Sequence, residues 1–195
     1  HRLSGTAAFS MQDKLRSVGA NEKAYTMLEI RKQAQVDLDG TAYIGGWTAA
    51  EHWDLTEQLF RDIFVFTTKA IRARKHEVHG LTFVRRHIQP NALFGTRTLW
   101  RGQTRVQVSD IHRTMIDMLA DPAVGGGIRH VSECFANYFK HKDAKPETLI
   151  QYAEKLGNGA VFKRMGFLAE ALPDQQGLVD ACRTLRGEMG VSPAQ

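Results

Sequence analysis

Histidine, cysteine, serine and the carboxylates can run chemistry near neutral pH, but their spacing in this sequence builds no complete catalytic set. Eight histidines are present, and His76 and His79 flank Glu77. There is no HExxH and no cysteine pair at zinc-finger spacing. These imidazoles therefore read as solvated groups on a loop beside Arg74 and Lys75, and no metal or other cofactor is expected. Ser109, Asp110 and His112 are the three residue types of a hydrolytic triad. Crowded together at a helix start they cannot readily take triad geometry, and a Ser or Asp there normally caps the helix. Gly125-Gly126-Gly127 precedes a helix, a setting that could hold a phosphate. It lacks the lysine and hydroxyl of a phosphate-binding loop, and reads as a hinge or a tight turn between helices. Cys134 and Cys182 are the only cysteines. Neither has redox spacing or a local catalytic signature, so both read as buried reduced thiols.

The charge distribution points to binding. Net charge is +5, with a sequence pI near 9.4. Between Lys69 and Arg105 lie seven Arg and two Lys but one acid, Glu77. Arg72, Arg74, Lys75, Arg85, Arg86, Arg97, Arg101 and Arg105 are expected to form a basic face, which reads equally as a solvated sheet surface or as a contact surface for nucleic acid or an acidic partner. Arginine forks suit phosphates and carboxylates, and Phe83 and Trp100 lie among them. A metal-dependent nuclease would need clustered carboxylates, which this stretch lacks. No catalytic residue is assigned.

These side chains need elements to position them. Residues 1–21 read as a leader or linker, and 22–35 as a helix with Ala24, Met27, Leu28 and Ala34 at helical spacing. A strand over 41–44 runs into Gly45-Gly46, and Thr48 with Glu51 forms the pattern of a capping box opening a short helix. Strands are expected at 62–68 and 80–88. A hairpin follows, with arms 97–100 and 103–108 around Arg101-Gly102. Because strand follows strand without an intervening helix, the sheet is expected to be antiparallel. Beyond Val108 the period becomes helical, with segments near 109–120, 128–139, 146–156, 161–172 and 178–185. The expected fold class is α+β: an antiparallel sheet with packed helices and a helical C-terminal third. One domain over 22–190 is expected, with a sheet part at 22–108 and a helical part at 109–190. No apolar run approaches the ~18–20 residues needed to cross a bilayer. The two reduced thiols point to a cytoplasmic location.

Six segments, in order, carry a resemblance to a known family. Residues 43–57, YIGGWTAAEHWDLTE, are followed by FVFTT at 64–68, NALFG at 91–95 and VQVSDIHRTMIDML at 106–119. Asp121-Pro122 with Gly125-Gly126-Gly127 and VFKRMGFL at 161–168 complete the set. Together they resemble the AbiEi-type antitoxins of bacterial type IV toxin–antitoxin (abortive infection) systems. One departure is His112, where the family usually has Glu. The resemblance implies a non-catalytic antitoxin and transcriptional regulator that counteracts a nucleotidyltransferase toxin and takes part in repressing its own promoter. It also implies that promoter DNA is read mainly by an N-terminal winged helix-turn-helix, for which the stretch before Tyr43 is too short, so that module is expected to be absent here. Arg113, Asp117 and Arg164 are expected to form a structural ion-pair set. Two other classes remain open: a transcriptional regulator fragment without a toxin partner, and a nuclease or nucleotide-modifying enzyme.

Overall fold

Ala42–Gly45 (β1) is buried at all four positions, the signature of a strand covered on both faces. It lies in the middle of a six-stranded sheet. The computed structural model describes residues 41–58, 62–78, 81–101 and 104–190. The expected leader at 1–21 and helix at 22–35 lie outside these. After β1 come α1 (Gly46–His52), β2 (Asp62–Thr67), β3 (Lys75–Val78) and β4 (Leu81–His87). Next are β5 (Thr96–Arg101), β6 (Thr104–Ser109) and α2 (Ile111–Ala120). The chain then forms α3 (Ile128–Tyr138), α4 (Pro146–Leu156), α5 (Gly159–Ala169) and α6 (Gln176–Gly190). The class is α+β, with helices concentrated in the C-terminal third.

The sheet order is β3-β4-β2-β1-β6-β5, and its pairing is mixed. β1/β2, β3/β4 and β5/β6 are antiparallel. β2/β4 is parallel over Asp62↔Thr82 to Thr67↔His87, and β1/β6 is parallel at Ile44↔Val108. The parallel β2/β4 pairing comes from Lys75–Val78, which sequence reasoning leaves in a loop. This segment carries the chain past β2 to the sheet edge, and β4 then returns into the gap between them. Its exposed Lys75, His76 and Glu77 suit an edge strand, where charge discourages pairing with another chain.

Strand alternation sorts the apolar side chains into two sets. Tyr43, Phe64, Phe66 and Val84 pack with α2 and the later helices in the main core. Ile44, Ile63, Phe83, Val106 and Val108 form a second cluster with Ala49. The main core runs without a break from β1 to Cys182, so the sheet and helical parts share one interior.

The capping box expected at Thr48 does not form. α1 begins three residues earlier, after Gly45, with no side-chain cap. Thr48 Oγ1 instead donates to the Asp62 carbonyl (3.3 Å) and accepts from the Phe64 amide (3.2 Å), fastening α1 to β2. At the start of α2 the expected cap does form: Asp110 accepts from the Arg113 amide at 2.8 Å. Pro122–Gly125 makes a 3-10 turn, so the glycine run is a tight connection into α3. Among the described residues no helix is long and apolar enough to cross a membrane.

Candidate functional site

Helix α2 is buried from Ile111 through Leu119, which leaves its polar residues no solvent to face. Each of these side chains must therefore find a partner inside the protein. Arg113, 1% exposed, finds four. Its Nε donates to Asp117 Oδ1 at 2.8 Å, its Nη2 to Tyr43 Oη at 2.8 Å and its Nη1 to the Ala92 carbonyl at 2.7 Å. The Phe94 ring lies over the guanidinium, 4.3 Å from its carbon to the ring centre. Tyr43 Oη in turn donates to Asp117, 3.0 Å from Oδ2. The three side chains thus close a triangle joining the central strand to the central helix.

Gly95 allows the loop before β5 to join this triangle. Its φ is +65°, and a Cβ there would stand 2.6 Å from the Tyr152 ring and 2.9 Å from Arg113 Cβ. Its carbonyl accepts from the Asp110 amide at 2.8 Å. Asp110 also accepts from Tyr152 Oη at 2.9 Å, and Ser109 Oγ bonds Thr114 Oγ1 at 2.7 Å. The serine and aspartate of the triad-like segment are thus spent on the helix start. His112 bonds Tyr138 Oη at 2.8 Å, and that oxygen also accepts from the Lys145 amide.

Burial sets the protonation of these groups. It raises the Tyr43 phenol well above its ordinary value, and the neighbouring Asp117 carboxylate adds to the effect. Burial also lifts the Asp117 carboxyl, although Arg113 and Tyr43 both favour its charged form. For Arg113 burial works against the charge, yet Asp117 and Tyr43 together outweigh it and the guanidinium is held more firmly protonated. His112 is shifted down, chiefly by burial. Enclosed in this way, the triangle positions elements and has no face that a substrate could reach.

Arg164 stands apart from the ion-pair set expected for it. Its Nη1 donates to the Leu119 and Ala120 carbonyls at 2.6 and 3.0 Å, closing the C-terminal end of α2. Both cysteines are buried and free. Burial pushes the Cys134 thiol up to about 12, with Glu133 adding to it, and the Cys182 thiol up to about 11. No group of three or more His, Cys, Asp or Glu that could hold a metal occurs among the described residues.

The basic residues that are contiguous in sequence are divided by the fold. Arg72, Arg74 and Lys75 are exposed beside the β3/β4 edge, where the Arg74 carbonyl accepts from the Arg85 amide at 2.8 Å. Arg85 and Arg86 are consecutive on β4 and so take opposite faces. Arg86 is half-buried: it meets Asp121 at 3.4 Å and lies over the Phe64 ring at 5.9 Å. Its Nε is enclosed with no hydrogen-bond partner among the described residues. Arg97, Arg101 and Arg105 lie on β5 and β6, at the other edge. The exposed Arg97 guanidinium sits over the Trp53 ring at 5.6 Å. Between the two groups run β2 and β1, without a Lys or Arg, so roughly 14 Å of sheet separates β4 from β6 at the usual strand spacing.

No family model matches this chain, and no curated protein matches it.

Sequence reasoning missed His130. Its Nδ1 lies 2.6 Å from the Gly125 carbonyl and its Nε2 2.7 Å from Thr56 Oγ1, binding the segment after α1 to α3. The available signal was its position four residues before Cys134, on the buried face of α3.

Two outcomes follow. Asp117→Ala should cost about 3–5 kcal/mol in urea unfolding, because it strands a buried guanidinium. Replacing all three polar tips together (Tyr43→Phe, Arg113→Met, Asp117→Leu) should recover most of that loss; a triple variant no more stable than Asp117→Ala would contradict the account. The second concerns pH. His112 faces Asp110, Asp143, Lys145, Arg97, Tyr138 and Tyr152, and its folded pKa lies below the ordinary 6.5. Above pH 6.5 it is neutral in both states. Below that, the unfolded chain takes up a proton that the folded chain refuses, so stability falls with pH until the folded pKa is reached. Melting temperature should therefore drop less steeply between pH 7 and 5.5 in His112→Gln than in wild type. Equal slopes would remove the histidine from the pH response.

Proposed function

We propose that this chain is the effector domain of an AbiEi-type antitoxin. It acts in the bacterial cytoplasm, by binding and without catalysis, to counteract a nucleotidyltransferase toxin, and it contributes to repression at promoter DNA. One observation carries the reading: the segments that bear the resemblance meet around α2. Tyr43 from the first closes the triangle with Arg113 and Asp117. Gly95 packs against Arg113, and a Cβ on Gly46 would stand 2.5 Å from the Val124 carbonyl oxygen. Arg164 closes the end of α2. Residues scattered over more than 120 positions hold one helix, as expected if the shared residues preserve a family fold.

In this reading the exposed Arg72, Arg74 and Lys75 supply phosphate contacts that strengthen operator binding without reading base sequence. Co-expression with a nucleotidyltransferase toxin of such a system tests the reading, with viable counts as readout. Growth should be restored by this chain. A folded, well-expressed chain that leaves the toxin fully lethal would sink the antitoxin assignment.

A further inference from the structure

Among the described residues two large hydrophobic side chains are exposed, Phe167 at 72% and Ile128 at 49%. Scattered singly they would need no explanation. Both, however, line the same groove, a depression of about 550 Å³. Its floor includes Val179 and Cys182 of α6, and its near wall is α5. The two helices run close together at Gly166, where a Cβ would stand 3.1 Å from Cys182 Cβ.

The groove is also charged with one sign in excess. Lys163 on α5 and Arg183 and Arg186 on α6 are exposed along it, with Glu170 as the acid among its lining residues. Glu170 is engaged by Arg183 at 2.9 Å. Lys163 and Phe167 are four apart on α5, and Cys182 and Arg186 four apart on α6. Each helix thus presents an apolar position one turn from a basic one. Exposed Phe beside Arg, around a depleted acid content, is the composition of a protein-binding surface.

We propose that this groove docks an acidic amphipathic helix of a partner protein, its apolar stripe on Phe167 and Ile128 and its carboxylates toward Lys163 and Arg186. Recognition is of the helix-in-groove kind, with anchors at i, i+3/i+4 and i+7. Duplex DNA fits less well, because its bases are stacked away and phosphate contacts would leave the Phe167 ring against solvent or backbone. The inference is independent of the antitoxin assignment.

The test uses the full chain and two fluorescent synthetic peptides. Both carry leucines at helical i, i+3, i+4 and i+7 spacing, one flanked by Glu and the other by Lys. A mixed-sequence duplex DNA serves as competitor. The Glu peptide should bind, and the Lys peptide should bind at least about tenfold more weakly, since like charges on rim and peptide repel. Phe167→Ser should weaken the Glu peptide by about tenfold or more. Lys163→Glu with Arg186→Glu should reverse the preference between the two peptides. These positions are exposed, so unchanged melting temperatures establish that the variants fold. Absence of Glu-peptide binding, indifference to Phe167→Ser, an unchanged preference after charge reversal, or displacement of the peptide by DNA would each overturn the proposal.

Discussion

A guanidinium with 1% exposure in the first turn of a helix buried from Ile111 through Leu119 is the constraint around which this protein is arranged. An isolated charge there would be untenable, since removing it from water costs several kcal/mol even after relaxation. Arg113 is held by a carboxylate one turn along its own helix, by the phenol of the central strand and by a loop carbonyl. These three partners come from three different parts of the chain. Satisfying one charge therefore fixes the position of α2 against β1 and against the loop that leads into β5. Apolar packing supplies the bulk of the stabilisation, but it is tolerant of small slides. The directional bonds at Arg113 are not.

Much of this was legible in sequence wherever the determinant was local. Ser109 or Asp110 reads as a cap because the helix signal begins immediately after them, and the structure has Asp110 as the cap. Of the ion-pair set expected from Arg113, Asp117 and Arg164, the first two do pair, and Arg164 bonds backbone carbonyls instead. The six-segment resemblance marked Tyr43 as well, although no spacing rule connects it to a helix 70 residues away. What failed was local signal overridden by distant contact. Thr48 and Glu51 have the sequence of a capping box, yet the Thr48 hydroxyl is drawn to the backbone of β2. Lys75–Val78 has the composition of a loop and becomes a strand because β4 offers an unpaired edge. The basic stretch illustrates the same limit. Its continuity along the chain suggested one face, whereas strand order sends its parts to opposite edges of the sheet.

This division changes what the surface can do. The group beside β3 and β4 combines an exposed loop cluster with an arginine, Arg86, that is partly committed to Asp121 and Phe64. The group on β5 and β6 includes Arg97 over Trp53, an arrangement that also tethers the end of α1. The groove between α5 and α6 adds a third basic region with a different character, apolar at its centre. The three basic regions thus lie on separate elements and do not merge into one face.

Native-state hydrogen exchange across a denaturant series tests the central role of α2 most directly. If the Arg113 triangle anchors the fold, the amides of residues 114–119 and those of Tyr43 and Ile44 exchange only through global unfolding, with the same free energy and denaturant slope. The edge strand β3 should exchange at lower free energy. Exchange of the α2 amides through local opening, while the sheet stays protected, would contradict the account and show that α2 is carried by its surroundings rather than holding them.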